Sequence, residues 1–337
     1  MPVRDPSRPW PILLLACSLA AETHRVMPSS FYHTFSARHP VLARIRPGDT
    51  VVTKTLDAGG QDEQGVHRTE PSNPLTGPFY IEGAEPGDAL LVRLDRVRIN
   101  RHWGWSSFRL LLSSLLPDYV EGIYSANYKA DLVRKGRANL VPWEIDLRSN
   151  LVRLREPSSQ RLKLEFPARP MLGCIGVAPA GEFAPTSAPS GSYGGNLDYN
   201  EVAEGATVML PVYHPGGLLF IGDGHALQAD GEPLGTGIEV SMDVEFTVNL
   251  RKRASLSGPR LETAEELISI GSQPEFASSL DRALQMATTD MIRWLISDYK
   301  LEPWAAHLLL GMHGRYQVVT VAGSMAVRIP KRWLPRP

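Results

Sequence analysis

Residues 236–250 read TGIEVSMDVEFTVNL, with apolar side chains at every second position: Ile238, Val240, Met242, Val244, Phe246 and Val248. A period of two puts those six side chains on one face of a pleated strand, and the run is the cleanest strand signal in the chain. Outward from it the text repeats that grammar. Strand-like runs occupy 206–213 and 217–221, and LVRLREPSSQRLKLEFPARP (151–170) reads as a hairpin. RPGDTVVTK (46–54) and EPGDALLVR (85–93) each launch a strand from a Pro-Gly-Asp turn, where Pro sets φ and Gly supplies the left-handed position. Asp49 and Asp88 are therefore turn residues rather than catalytic ones. With 29 glycines and 28 prolines among 337 residues, a turn-rich, mainly β chain is expected.

The period changes near the C-terminus. Leu280, Ala283, Leu284, Ala287, Met291, Ile292 and Leu295 fall at helical spacing, with Ser278 or Ser279 as the cap. A second short helix is expected in EPWAAHLLLGMHG, from Pro303 to Gly314, before closing strands in YQVVTVAGSMAVRIP. FRLLLSSLL (108–116) reads as a further short helix. The fold class is thus mainly β, with a helical pair near the C-terminus.

Composition excludes some functions. The net charge is −1 and no basic stripe is visible, which argues against nucleic-acid binding. No segment carries the ~18 uninterrupted apolar residues of a membrane span. At the N-terminus, Arg4 and Arg8 precede the apolar run Trp10–Ala16, and Ser18-Leu19-Ala20 offers a small-x-small cleavage pattern. Residues 1–25 therefore read as a signal peptide for export, or, through Leu14-Leu15-Ala16-Cys17, as a lipobox anchored at Cys17. A disordered extension of a cytoplasmic enzyme is the alternative. Residues 26–337 form the remaining domain. Cys174, between Gly173 and Ile175, has the setting of a small core residue with no base to activate it.

The densest polar stretch is GDGHALQADGE (222–232), with Asp223, His225, Gln228, Asp230 and Glu232. Asp223 and His225 flank one glycine, so an extended chain would turn both to one side. Read alone, the stretch is either a hydrated turn or a site that holds a metal or activates a water. Three further knots are polar: SYGGNLD (192–198) with Asn196 and Asp198, FYHTFSARHP (31–40) with His33 and His39, and DAGGQ (57–61) with Asp57 and Gln61. The chain has no Gly-x-Ser-x-Gly elbow, no P-loop and no Cys-x-x-Cys. APSGSYGG (188–195) lacks the lysine and second serine that the serine-rich amidases arrange.

NPLTGPFYIEGAEPGD (73–88), GCIGVAPA (173–180), GGNLD (194–198), LPVYHPGGLLFIGDGHALQADGE (210–232) and GTGIE (235–239) occur in this order, and together they resemble the acetamidase/formamidase family. The resemblance runs from about His33 to Arg328. It implies a β-sandwich-like core with additional α+β elements, hydrolysis of short aliphatic amides such as formamide or acetamide, and assembly as a homo-oligomer. It also implies a divalent metal, zinc by preference with calcium as the alternative, held by His33, Asp198, Asp223 and His225. Glu232 would be general base and then acid, with Asn196 and Gln228 orienting substrate or water. Asp57, Gln61 and Asp230 would stand around substrate or behind the ligands. The chain departs from the family pattern at Ala229 (usually glycine), at Asn73 (histidine in many members) and at Tyr193 (histidine or phenylalanine). A binding protein that keeps the fold and a structural cation without turnover is the second reading.

Overall fold

The computed structural model describes residues 21–116, 140–155, 160–272 and 279–335. Three sheets build the body. The largest has nine strands in the order Thr23–Arg25, Thr50–Thr55, Met242–Arg251, Ala89–Ile99, Thr207–Pro211, Arg260–Glu262, Glu266–Ser272, Ser324–Pro330 and Arg315–Thr320. The second has six, in the order Ser190–Gly191, Gly194–Asn196, Met171–Val177, Leu219–His225, Leu75–Ile81 and Ala43–Ile45. Trp103–Ser107, Leu140–Asp146, Leu151–Leu154 and Glu165–Pro167 form the third. The first two sheets pack face to face as a sandwich. Phe246 of the nine-stranded sheet meets Phe79 of the six-stranded one edge-on, ring centroids 5.2 Å apart, within a core that also buries Val92, Leu94, Ile175 and Phe220.

The segment 236–250 joins all three sheets. Met242–Arg251 is a strand of the large sheet, with Met242, Val244, Phe246 and Val248 on its buried face as the alternation requires. Before Met242 the chain leaves that sheet. Ile238 exchanges backbone bonds with Ala226 and Leu227 at the end of the six-stranded sheet, and Glu239 bonds to Trp105 of the third. Of the two readings of 222–232, a hydrated turn does not begin after Ile221. Leu219–His225 continues as a buried strand through Gly222, Asp223 and Gly224, because Met171–Val177 supplies partners on that side as far as His225.

Both Pro-Gly-Asp turns launch strands, at Thr50 and Ala89, and Asp49 and Asp88 accept backbone N–H bonds from Arg46 and Glu85, three residues back. The hairpin read at 151–170 is present as the antiparallel pair Leu151–Leu154 and Glu165–Pro167. FRLLLSSLL gives only one 3₁₀ turn, Leu112–Ser114, none of whose residues is buried. Of the leader read over 1–25, residues 1–20, with Cys17, lie outside the described residues. Thr23–Arg25 pairs in parallel with Thr50–Val52.

Helix α1 (Leu280–Tyr299) begins at Ser279, whose side chain accepts from the Arg282 N–H, and buries Ala283, Ala287, Met291, Trp294 and Leu295 on the far end of the large sheet. Helix α2 (Pro303–His313) buries Ala306 and Leu310 and stops before Gly314, whose φ of −64° is ordinary rather than left-handed. Asp290 of α1 accepts from Nε and Nη2 of Arg260 at 2.7 and 2.9 Å, together with the Ser257 and Ser269 hydroxyls, so each oxygen of this buried carboxylate has two donors. Among the described residues no helix is long and apolar enough to cross a membrane.

Helix α1 lies so close to the sheet that a Cβ at Gly271 would sit 1.9 Å from the Ala283 carbonyl oxygen. Gly271→Ala must push the helix outward, and a destabilisation of about 1–3 kcal/mol is expected, read as a lower denaturation midpoint at unchanged m-value.

Candidate functional site

Asp223 and His225 project from strand Leu219–His225. The strand register pairs Cys174 with Gly222 and Leu172 with Gly224. Gly173 therefore lies opposite Asp223, which takes a left-handed φ of +57°. A Cβ on Gly173 would fall 2.6 Å from an oxygen of Asp223 and 2.6 Å from an oxygen of Asp198. Glycine is required there because two carboxylates occupy the space a side chain would fill. Asp198 follows strand Gly194–Asn196, donates its N–H to the Gly173 carbonyl and also has a left-handed φ, +45°. Glu232 repeats the feature at +42°. Each such non-glycine conformation costs about 1–3 kcal/mol and is held by the surrounding structure.

Asp198, Asp223 and His225 each offer a ligand atom, all within 4.8 Å of one another, and His225, Glu232 and Glu239 form a second such group. His225 Nε2 lies 3.0 Å from Glu239 and 3.5 Å from Asp223. Its Nδ1 is 2.6 Å from Gln228 Oε1. The Gln228 amide nitrogen donates to the Asp198 carbonyl at 2.6 Å, so Oε1 is free to accept from Nδ1–H. A neutral His225 is thereby fixed in the tautomer that points a bare Nε2 lone pair into the cluster, which is the form that ligates a metal.

The charge balance of the cluster is unfavourable as it stands. Asp198, Asp223 and His225 are buried, and so is Glu239. Asp198 Oδ1, Asp223 Oδ1 and Glu239 Oε2 have no hydrogen-bond partner among the described residues. Burial, reinforced by the Asp223 charge, pushes the Asp198 carboxyl up to about 7, and burial with the Asp223 and Asp198 charges pushes Glu239 up to about 8 despite the counter-pull of His225. Burial and Asp198 hold Glu232 well above the carboxylate range. Burial disfavours a charged His225, but Glu239 and Asp223 outweigh it and raise that imidazole. Three buried, unpartnered carboxylate oxygens around one nitrogen call for protons or a cation. The donor set fits a divalent metal, with Asp198, Asp223 and His225 as the compact group and Glu239 within reach of His225.

Asp223 and Glu239 of the cluster line a cavity of about 440 Å³ walled by Trp105, Pro71 and Leu140, with Asn73, Asn196 and Glu232 at the same polar end. A neighbouring cavity of about 540 Å³ shares Asn73, Asn196 and Glu232. Asn196 is held by three side chains. Its Oδ1 accepts from Asn73 at 3.2 Å and from the Cys174 thiol at 2.8 Å, and its amide donates to Asp198. Asn73 also donates to Asp223 at 3.1 Å. Cys174 is fully buried, and burial first, then the neighbouring carboxylates, keep it a thiol.

Of the residues singled out from sequence, Asp198, Asp223, His225, Glu232 and Asn196 come together here, and Gln228 stands behind His225. His33 lies outside the cluster, against Thr69 and the Ser72 carbonyl. Asp57 is buried beneath the cavity wall, paired with Arg101 at 2.5 Å and accepting the Trp105 indole N–H at 3.0 Å, so it positions that wall. Gln61 closes the adjoining turn on Gly65, and the exposed Asp230 accepts from Asn200. Glu239, Arg101 and Trp105 were not among them. Strict alternation assigns Glu239 to the solvent face, as it does Asp243. The signal for Glu239 was its place in GTGIE, where Gly237 leaves room for the imidazole: a Cβ there would be 2.5 Å from the His225 ring.

The sequence model described as the acetamidase/formamidase family matches residues 30–190 and 180–280. The crystal structure of an acetamidase from Yersinia enterocolitica superposes with a TM-score of 0.76 at 28% identity, covering 96% of each chain. A putative formamidase of Schizosaccharomyces pombe is 28% identical over 57% of each protein. A formamidase of Methylophilus methylotrophus is 27% identical over 63% of this chain. The chain spans only 57% and 62% of the length of these two curated relatives.

The raised carboxyls set a pH dependence. A carboxyl whose pKa rises from about 4 in the unfolded chain stabilises the fold below pH ~4 and loses that contribution as pH climbs through its folded value. For Asp198 and Glu239 the window closes at about 7 and 8. Chelator-treated protein is expected to lose thermal stability between pH 5 and 8, and Asp198→Asn is expected to flatten that slope. A midpoint that rises with pH across the window contradicts the charge balance described.

Proposed function

The chain belongs to the acetamidase/formamidase family, and from that membership we propose that it is a metal-dependent hydrolase of short aliphatic carboxamides, releasing ammonia and the carboxylate. The observation that carries the reading is that Asp198, Asp223 and Glu239, buried about His225, each keep a carboxylate oxygen without a partner among the described residues, and that Asp223 and Glu239 line a cavity. Asp198, Asp223 and His225 would hold the cation. The imidazole nitrogen among the donors favours zinc over calcium, which prefers an all-oxygen shell. A bound divalent metal supplies Lewis acidity and a water acidic enough to ionise near neutral pH.

The chain's own groups supply the rest. Hydrolysis adds water across the C–N bond, so the nitrogen must gain a proton as that bond breaks. Glu232 is the group placed to carry it. It lines both cavities, and burial with the Asp198 charge keeps it protonated far above the usual carboxyl range. Protonated, it gives its proton to the departing nitrogen, and as the carboxylate left behind it takes up the proton released by the attacking water. Asn73 and Asn196, locked to each other and to Asp223 and Asp198, present amide groups to the polar end of the substrate. Trp105, held by Asp57, gives the acyl group an apolar wall.

Ammonia release from formamide, acetamide and propionamide, with and without added zinc, tests the reading. Glu232→Gln is expected to lower kcat by about 10²–10⁴-fold with metal content unchanged. A folded, metal-loaded protein that releases no ammonia from any of them would favour a binding role instead. Asp223→Asn and Gly173→Ala are each expected to lower bound zinc below one equivalent in elemental analysis, with the fold intact by circular dichroism. Full zinc occupancy in both variants would remove Asp223 from the ligand set.

A further inference from the structure

Two cavities meet at Glu232, and a primary amide needs only one of them. The first, about 440 Å³, and the second, about 540 Å³, share Asn73, Asn196, Glu232 and Gly235 and are otherwise lined by different residues. Formamide and acetamide are only a few heavy atoms in size, whereas cavities of several hundred Å³ hold much larger ligands. The second cavity has a polar wall of its own. Strand register sets Ser272 opposite Ser324, both buried, and their hydroxyls bond at 2.9 Å. Ser190, from the edge of the six-stranded sheet, bonds to both, reaching Ser324 at 3.4 Å. Ser190 and Ser324 line the cavity, and Ser272 stands behind them. Three hydroxyls that bond one another commit one proton each and leave every oxygen a spare lone pair. A ligand hydroxyl, donor and acceptor at once, can join that ring in either sense. The turn leading into Ser324 is tied to the loop of Glu232, because the Val321 N–H donates to the Gly231 carbonyl at 2.8 Å. Asp198 and Glu232 are the charged side chains of the lining, which has no Lys, Arg or His, so an anionic group there would meet only like charge among them.

We propose that the second cavity is a leaving-group subsite. It takes a short, uncharged, hydroxyl-bearing substituent on the amide nitrogen, and Ser190 and Ser324 set that preference. The inference rests on the amide-hydrolase reading and extends it from primary to secondary amides. A secondary amide is planar and prefers the trans form, so its acyl and nitrogen substituents leave the C–N bond in opposite directions. With the acyl group against Trp105, the nitrogen substituent runs away from that wall, past Glu232 and into the serine-lined cavity. The reaction balances as a hydrolysis. Water oxygen bonds to the carbonyl carbon, the C–N bond breaks, and Glu232 gives its proton to the nitrogen, which leaves as a hydroxyalkyl amine. One proton of the water then restores Glu232, and the acyl group departs as the carboxylic acid.

A panel of amides tests it, assayed with the full chain and added zinc. N-(2-hydroxyethyl)acetamide is expected to release ethanolamine with kcat/KM about tenfold or more above that of its isostere N-propylacetamide, and N-acetylglycine is expected to be refused. Ser190→Ala and Ser324→Ala, checked for fold by circular dichroism, are each expected to remove most of that preference. It is read as the ratio of the two amides, so a general loss of activity cancels. Ala322→Phe, at the exposed mouth of the cavity, is expected to raise KM for the hydroxyethyl amide relative to that for acetamide. Ammonia from acetamide without ethanolamine from the hydroxyethyl amide would overturn the subsite and leave the hydrolase reading standing. A folded, metal-loaded chain that cleaves none of these amides would overturn both. A preference indifferent to both serine variants, or a serine-dependent preference for 3-hydroxypropanamide over butanamide, which places the hydroxyl on the acyl side, would also overturn it.

Discussion

Most of this structure is arranged around one electrostatic problem: Asp198, Asp223 and Glu239 are buried around a single imidazole, with an oxygen of each left without a partner among the described residues. An unpaired buried carboxylate is among the most costly groups a protein can hold. Here the cost is spread over protons shared within the cluster and over a donor geometry suited to a cation. The supports are local and identifiable. Gln228 fixes the imidazole tautomer, Asn196 and Asn73 tie two carboxylates together, and Gly173 and Gly237 leave the space that the carboxylates and the ring occupy.

Arg101 is buried, pairs with Asp57 and donates to the backbone carbonyls of Asp62 and Glu239. Burial pulls its pKa down, and the neighbouring Asp57 resists that pull. Their function is positional. Asp57 orients the indole that forms the cavity wall, and Arg101 braces the strand that delivers Glu239. The three sheets meet here, which is why a site drawn from five segments can have a rigid floor. The helical end of the molecule is built on a different principle, a buried carboxylate with two donors on each oxygen at Arg260–Asp290 and close helix–sheet contact at Gly271.

Much of this organisation is legible in the residues. The alternation in Met242–Arg251, the Pro-Gly-Asp turns before Thr50 and Ala89, and the helical spacing of Ala283, Ala287, Met291 and Leu295 are local signals, each set by backbone geometry over a few residues. Gly222–His225 was harder to read, because glycine and aspartate favour turns when isolated. Partners from the neighbouring strand override that preference once they are paired. His33 and Gln61 drew attention by residue type and neighbourhood, yet hydrogen bonds within their own loops account for both.

The sequence by itself therefore determined the β architecture, the terminal helical pair and the identity of the polar knots, since periodicity and turn chemistry act over short distances along the chain. Only the tertiary structure decided which knots share a site. It brought Asp198 over Gly173 beside Asp223, turned Glu239 inward where alternation pointed it out, and set Gln228 behind the imidazole. Those outcomes depend on strand register and on the convergence of three sheets, contacts between residues tens to hundreds of positions apart that no local pattern encodes.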